Sequence, residues 1–115
     1  MYLNDNFENQ YRYEVLINEK TFAILLKEAH FVLDIQDRNL IIKDVWVKKE
    51  LRKLGIWKNM LKLTIDLAKQ HKFENIISLG QFRRPIANKV WKTISDKKSV
   101  KNKLSNKIDY FLEIK

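Results

Sequence analysis

Apolar and polar residues alternate along the first part of this chain. Tyr11, Tyr13, Val15 and Ile17 share one side, with Arg12 and Glu14 on the other, the two-residue period of a half-buried strand. Asn18, Glu19 and Lys20 read as a turn. Thr21–Lys27 reads as a further strand, because sequential strands usually pair. Ala29, Phe31, Leu33 and Ile35 alternate with His30, Val32 and Asp34, and 36–39 supplies turn chemistry. Leu40–Val47 then returns as a hydrophobic strand, so 29–47 is predicted to be a hairpin. Residues 1–10 show no period and read as a short lead-in or arm.

The period then changes. At 100° per residue, Ile56, Trp57, Met60, Leu61, Leu63, Ile65, Leu67 and Ala68 fall within about 200° of arc. Lys58, Asn59, Lys62, Asp66, Lys69 and Gln70 share the opposite side, which predicts an amphipathic helix from about Ile56 to His71. Asn75–Leu79 is a short buried strand closed by Gly80. After a loop at 81–84, Pro85 stands where a helix would start, its missing N–H costing nothing there. Ile86, Ala87, Val90, Trp91 and Ile94 mark one face of that second helix. The basic stretch 95–107 reads as a loop or helix end, and Ile108, Tyr110, Leu112 and Ile114 alternate in a last strand.

The order β-β-β-β-α-β-α-β predicts an α+β fold in a single domain, 1–115. Its mixed sheet would have an antiparallel N-terminal meander, one right-handed βαβ unit and two main helices.

Composition narrows the function classes. With 115 residues, 45% hydrophobic and 32% charged, the chain is long enough for one core and unlike a disordered segment. No apolar run is long enough to span a bilayer and the first residues lack a secretory signal, so an intracellular, cytoplasmic protein is expected. The absence of cysteine removes disulfides and thiolate chemistry, and two histidines are too few for a histidine-rich metal site.

The net charge of +9 favours an anionic partner: nucleic acid, a phosphorylated cofactor or an acidic protein. The lysine-, isoleucine- and asparagine-rich composition of an AT-rich genome would give the same excess with no partner at all. There is no recognised nucleic-acid-binding motif, and the basic residues are spread along the chain rather than gathered on one helix.

The stretch 40–71 carries the candidate chemistry. A strand, a charged turn, a lone glycine and a helix together present bare backbone N–H groups to an anion. Val47 to Trp57, VKKELRKLGIW, resembles the coenzyme A pyrophosphate loop of the GNAT superfamily of N-acetyltransferases. That family's pattern is Gln/Arg-x-x-Gly-x-Gly/Ala after a strand that often ends in valine. Arg52 and Gly55 match it, and Trp57 stands where the pattern is small.

The resemblance covers roughly Tyr11 to the end and implies a cleft between strands 40–47 and 75–79 that takes a coenzyme A thioester, acetyl-coenzyme A. It implies that the turn from Arg52 through Lys53, Leu54, Gly55, Ile56 and Trp57 to Lys58 holds the pyrophosphate. Val45 to Val47 would then offer backbone to the pantetheine arm and thioester carbonyl, and Asn88 and Ser95 would contact the cofactor. Asp44 lies where the family sometimes keeps its base. On the second helix the family often carries Asn-x-x-Ala-x-x-x-Tyr, the tyrosine protonating the departing thiolate. Here Ala87 and Trp91 take the last two places, and an indole N–H cannot act as that acid. The family's N-terminal strand and two helices have almost nothing to correspond to in residues 1–10.

Two functions stay open on this reading. One is an acetyl-coenzyme A-dependent N-acyltransferase of unspecified acceptor. The other is a GNAT-like module without the reaction, binding or inhibiting an acidic protein or nucleic acid. Trp57 is either a core aromatic or a residue that narrows the cleft. Asp44 and His30 are either functional or structural. Arg52, Lys53 and Lys58 either steer phosphates or form a solvated turn. Lys97, Lys98, Lys101, Lys103 and Lys107 form a solvated loop or meet an acidic partner or the 3′-phosphate of coenzyme A. Pairing through 108–114 would make a homodimer if that strand lies at a sheet edge.

Overall fold

The computed structural model describes residues 2–4, 10–52, 55–83, 85–95, 100–101, 103–104 and 106–114. After a short first strand, β1 (Tyr2–Asn4), four long strands follow one another as antiparallel neighbours: β2 (Gln10–Ile17), β3 (Thr21–Leu26), β4 (Ala29–Gln36) and β5 (Asn39–Val47). Their turns follow from side-chain chemistry. Asn18 Oδ1 accepts from the N–H groups of Lys20 (2.9 Å) and Thr21 (2.8 Å), and Asp37 takes a left-handed φ of 56°.

Helix α1 (Ile56–Gln70) crosses to β6 (Asn75–Ser78), which lies parallel to β5, and α2 (Pro85–Ile94) leads on to β8 (Ile108–Glu113), antiparallel to β6. These six strands form the α+β mixed sheet expected. Two short strands extend it at its edges: β1 (Tyr2–Asn4) pairs with β2, and β7 (Val100–Lys101) pairs with β8, giving the order β1-β2-β3-β4-β5-β6-β8-β7.

Those edge strands correct the sequence reading of 1–10 as a lead-in or arm and of 95–107 as a loop or helix end. Strands of three and two residues are too short to show a period, and only pairing with a neighbour makes them strands. Because β7 pairs only with Ile108 and Asp109, the rest of β8 faces no strand on that side among the described residues.

Gly55 precedes α1 at φ 77°, a backbone conformation natural to glycine. At the other end the chain turns through Lys72 at φ 61°. Phe73 N–H bonds the Ala68 carbonyl (2.9 Å) and Lys72 N–H bonds that of Lys69 (3.2 Å), a Schellman closure. The Phe73 ring then packs edge-on against Phe22 of β3, with centroids 6.0 Å apart.

The buried line of α1 is Ile56, Met60, Leu61, Thr64 and Ala68. Thr64 belongs to it although its hydroxyl excluded it from the apolar arc; Oγ1 donates to the Met60 carbonyl at 2.8 Å and so needs no water.

The core gathers residues from both helices and from one face of the sheet. Phe22, Ile24, Phe31, Leu33, Leu40, Ile42 and Ile76 meet Ile56, Met60 and Trp91 there. The register places Ala23, Val32, Ile41, Trp46, Ile77 and Phe111 on the other face, outside that cluster.

Candidate active site

The site begins where two parallel strands stop pairing. Strands β5 and β6 are joined only at Asn39, Leu40 and Ile41 against Asn75, Ile76 and Ile77. That end is fastened by Asn75 Nδ2 donating to Asn39 Oδ1 (2.9 Å) and Glu74 N–H donating to the Arg38 carbonyl (2.7 Å). Beyond Ile41 the strands separate.

A bulge sets the separation in β5. Val32 opposes Asp44 and Leu33 opposes Ile42, so Lys43 is an extra residue, and an extra residue bends a strand and increases its twist. The side chain of Lys43 bonds Asp34 (3.5 Å) and lies 4.5 Å from the ring centroid of Phe82, beyond the end of β6. It therefore bridges the two arms of the gap.

The gap is a cleft of about 420 Å³, within the range of ordinary small-molecule sites. Ile42, Asp44, Val45 and Val47 line its β5 side, and Ser78, Leu79, Phe82 and Arg83 the β6 side. Arg52, Gly55, Trp57 and Lys58 border one end; Ala87, Val90 and Trp91 of α2 form the wall.

Backbone polarity follows from the ladder. Lys48 N–H donates to the Glu28 carbonyl (2.8 Å), and bonded and non-bonded pairs alternate along an antiparallel ladder. Val47 and Val45 therefore direct their N–H and C=O groups away from β4, toward the cleft. Arg52 Nε takes up one of them, donating to the Val47 carbonyl at 2.9 Å. The Val45 pair and the Val47 N–H remain on the cleft edge.

At the mouth, α1 begins its ladder with Asn59 N–H on the Gly55 carbonyl (3.1 Å), and among the described residues no side chain is seen to cap it. The N–H groups of Ile56, Trp57 and Lys58 thus precede the first intrahelical bond, with the positive end of the helix dipole behind them. The residues present fit a phosphate group here: uncapped donors, with Arg52 and Lys58 beside the same space.

Trp57 stands between core and cleft. It packs against the core cluster and also lines the cleft, which stays open beside it. Its angle on the helix points at the sheet; its place in the first turn puts the widening gap beneath it. Trp91 is 1% exposed and closes the cleft from α2 as a wall rather than a proton donor.

Of the other expected residues, Ile56 is fully buried, so only its backbone is available. Lys53 and Leu54 lie outside the described residues. Asn88 does not border the cleft; its Oδ1 accepts from Arg83 Nε at 2.6 Å. Ser95 follows α2, where its N–H donates to the Trp91 carbonyl at 2.9 Å.

Two features escaped sequence reasoning. His30 Nε2 and Asp44 Oδ2 are 2.6 Å apart on neighbouring strands, with the imidazole tilted against Trp46 at 5.7 Å. The sequence offered each residue singly, Asp44 at the family's base position and His30 on a neighbouring strand, but not their contact. Arg83 is the second. Its Nη1 donates to the Ser78 carbonyl (2.8 Å) and Oγ (3.2 Å), its Nη2 donates to the Ile108 carbonyl (2.5 Å), and its plane covers Tyr110 at 4.5 Å. Burial lowers its pKa from the usual arginine value, opposed by Tyr110 and Asp109. It ties together the end of β6, the start of α2 and β8.

This arrangement has known counterparts in shape. The ribosomal-protein-S18-alanine N-acetyltransferase of Escherichia coli superposes with a TM-score of 0.66, over 85% of this chain and 72% of that one, at 12% identity. A GNAT-family acetyltransferase from Staphylococcus aureus Mu50 gives 0.63, over 83% and 69%, at 18% identity.

The fold is that of the GNAT acetyltransferases.

The PaiA N-acetyltransferase of Thermoplasma acidophilum, solved with coenzyme A, shares this GNAT fold with a TM-score of 0.65 over 82% of this chain and 61% of that one, at 10% identity. At the level of sequence nothing matches: no protein-family model recognises the chain and no curated protein is similar to it. Among the described residues, no helix of this GNAT-fold chain is long and apolar enough to cross a membrane.

Proposed function

We propose that this chain is an acetyl-coenzyme A-dependent N-acyltransferase. The carrying observation is that the splayed gap between β5 and β6 ends at the uncapped start of α1, with Arg52 and Lys58 on its rim. An extended thioester with a pyrophosphate at one end matches that shape, and the fold's occurrence with coenzyme A in the Thermoplasma protein supports the reading.

Acetyl-coenzyme A, as substrate, brings an activated acyl group. The N–H groups of Ile56, Trp57 and Lys58, with Arg52, hold its phosphates. The cleft edge of β5 takes the pantetheine arm as a strand takes a neighbour, and the Val45 or Val47 N–H polarises the thioester carbonyl. Asp44 borders the cleft with His30 beside it, and this carboxylate–imidazole pair accepts the proton of the acceptor amine. The amine nitrogen bonds the acyl carbon, the C–S bond breaks, and the thiolate takes its proton from solvent because Trp91 has none to give.

A specific observation also favours the second reading, a GNAT-fold module that binds without turnover: two of the three tryptophans, Trp57 and Trp91, line the cleft. Calorimetric titration with acetyl-coenzyme A separates the two. Micromolar binding by the native protein, with thiol released when amines are added, is the expected result. No binding by the native protein and binding by Trp57→Gly would show that the indole closes the site. No binding by either would end any coenzyme A role.

A further inference from the structure

Both helices lie on one side of the sheet, and the bare side is not the polar surface that an exposed antiparallel sheet usually shows. Leu16 and Leu25 stand there 47% and 38% exposed. On the same face lie Val32, Trp46 and Ile77, half-buried, while Ala23 and Ile41 are buried. Only residues 5–9 separate β1 from β2, so no described helix of this chain comes from that end to cover them.

The charge on this face opposes that of the molecule. By register its strand positions carry two cations, Arg12 and Lys43, against five carboxylates: Glu14, Asp34, Asp44, Asp109 and Glu113. The whole chain is +9, so its basic residues lie overwhelmingly elsewhere. A second copy seated on this face would set carboxylates against carboxylates in a face-to-face pair. A nucleic acid would be repelled by it.

We infer that the uncovered face of the sheet docks a basic amphipathic helix from another protein, its apolar side on Leu16, Leu25 and Val32 and its lysines or arginines toward Glu14 and Asp34. Apolar contact supplies the adhesion, and charge complementarity selects the partner and speeds encounter. The surface is separate from the phosphate end of the cleft, so docking does not depend on coenzyme A binding.

The test uses the full chain and two fluorescein-labelled amphipathic helices, one of leucine and lysine, the other of leucine and glutamate, followed by anisotropy. The lysine helix is expected to bind at micromolar level, more weakly as salt rises, and the glutamate helix at least tenfold more weakly. Leu16→Lys with Leu25→Lys, at two exposed positions, should weaken the lysine helix at least tenfold and leave acetyl-coenzyme A titration and circular dichroism unchanged. Glu14→Lys, which alters no packing, should act in the same direction. Equal binding of both helices, no binding of the lysine helix, or binding untouched by these variants would overturn the proposal. So would sedimentation as a dimer that Leu16→Lys with Leu25→Lys dissolves, which would assign the face to a second copy.

Discussion

Arg52 Nε donates to the Val47 carbonyl at 2.9 Å, so the residue that matches a phosphate-loop pattern also ties the loop to the strand before it. The bond holds the turn that delivers the start of α1 to the cleft. Arg52 also lines the cleft. In the proposed function this one arginine serves shape and charge together.

Arg52→Lys separates those two roles. The ammonium keeps the charge but has no fork to hold Val47 and a phosphate at once. About 1 kcal/mol of stability should be lost with the hydrogen bond, read by chemical denaturation. Acetyl-coenzyme A affinity should fall about tenfold, and Arg52→Ala should lose more affinity for the same loss of stability. Equal affinity in both variants would reduce Arg52 to a structural tie.

His30 and Asp44 lie on neighbouring strands and meet at 2.6 Å only in the folded chain, where the proposed reaction uses them as a pair. His30→Gln and Asp44→Asn should each lower the rate of amine-dependent thiol release by about a hundredfold, the scale of one proton-transfer group. Acetyl-coenzyme A binding, measured by calorimetry, should stay within about twofold of the native value because neither side chain lies at the phosphate end of the cleft. A loss of binding equal to the loss of rate would make the pair a structural latch between β4 and β5.

Gly80 is required by its neighbours. A Cβ there would stand 2.5 Å from Lys107 Cβ and 2.9 Å from the Ile108 carbonyl oxygen, while the Gly80 N–H already bonds Asp109 Oδ1 at 2.8 Å. Gly80→Ala should push β8 from the end of β6 and cost about 1–3 kcal/mol, the range for overpacking. The thermal midpoint should fall by several degrees, and an unchanged midpoint would show that the 106–108 segment yields freely.

Lys72 offers the opposite experiment. Its left-handed φ of 61° closes α1 at a place where glycine is the usual residue. Lys72→Gly should stabilise the protein by about 0.5 kcal/mol, the relief of backbone strain exceeding the entropy glycine adds to the unfolded chain. The same thermal measurement reads it, and a lower midpoint would place the Lys72 side chain in a stabilising contact.

The elements themselves were largely legible. A two-residue period over 11–17 and 29–47, and a helical period over 56–70, record which way side chains point, and that is a local property of the chain. Gly55 and Pro85 marked the two helix starts for equally local reasons, one a left-handed backbone and the other a missing N–H. Trp57 shows the limit of that information. Its angle was correct, but whether packed side chains or an open gap lay beneath depended on a strand remote in sequence.

The α+β class, the meander, the βαβ unit and both helices were determined by the sequence through hydrophobic period and turn chemistry. The cleft, the His30–Asp44 pair, the Arg83 clamp, the two edge strands and the bare face of the sheet were decided by tertiary structure. Each depends on register: where β5 and β6 stop pairing, which residue of β4 lies diagonal to Asp44, which end of β8 reaches Arg83. Register is fixed when many strands and helices settle together around one core, and no single stretch of chain carries it.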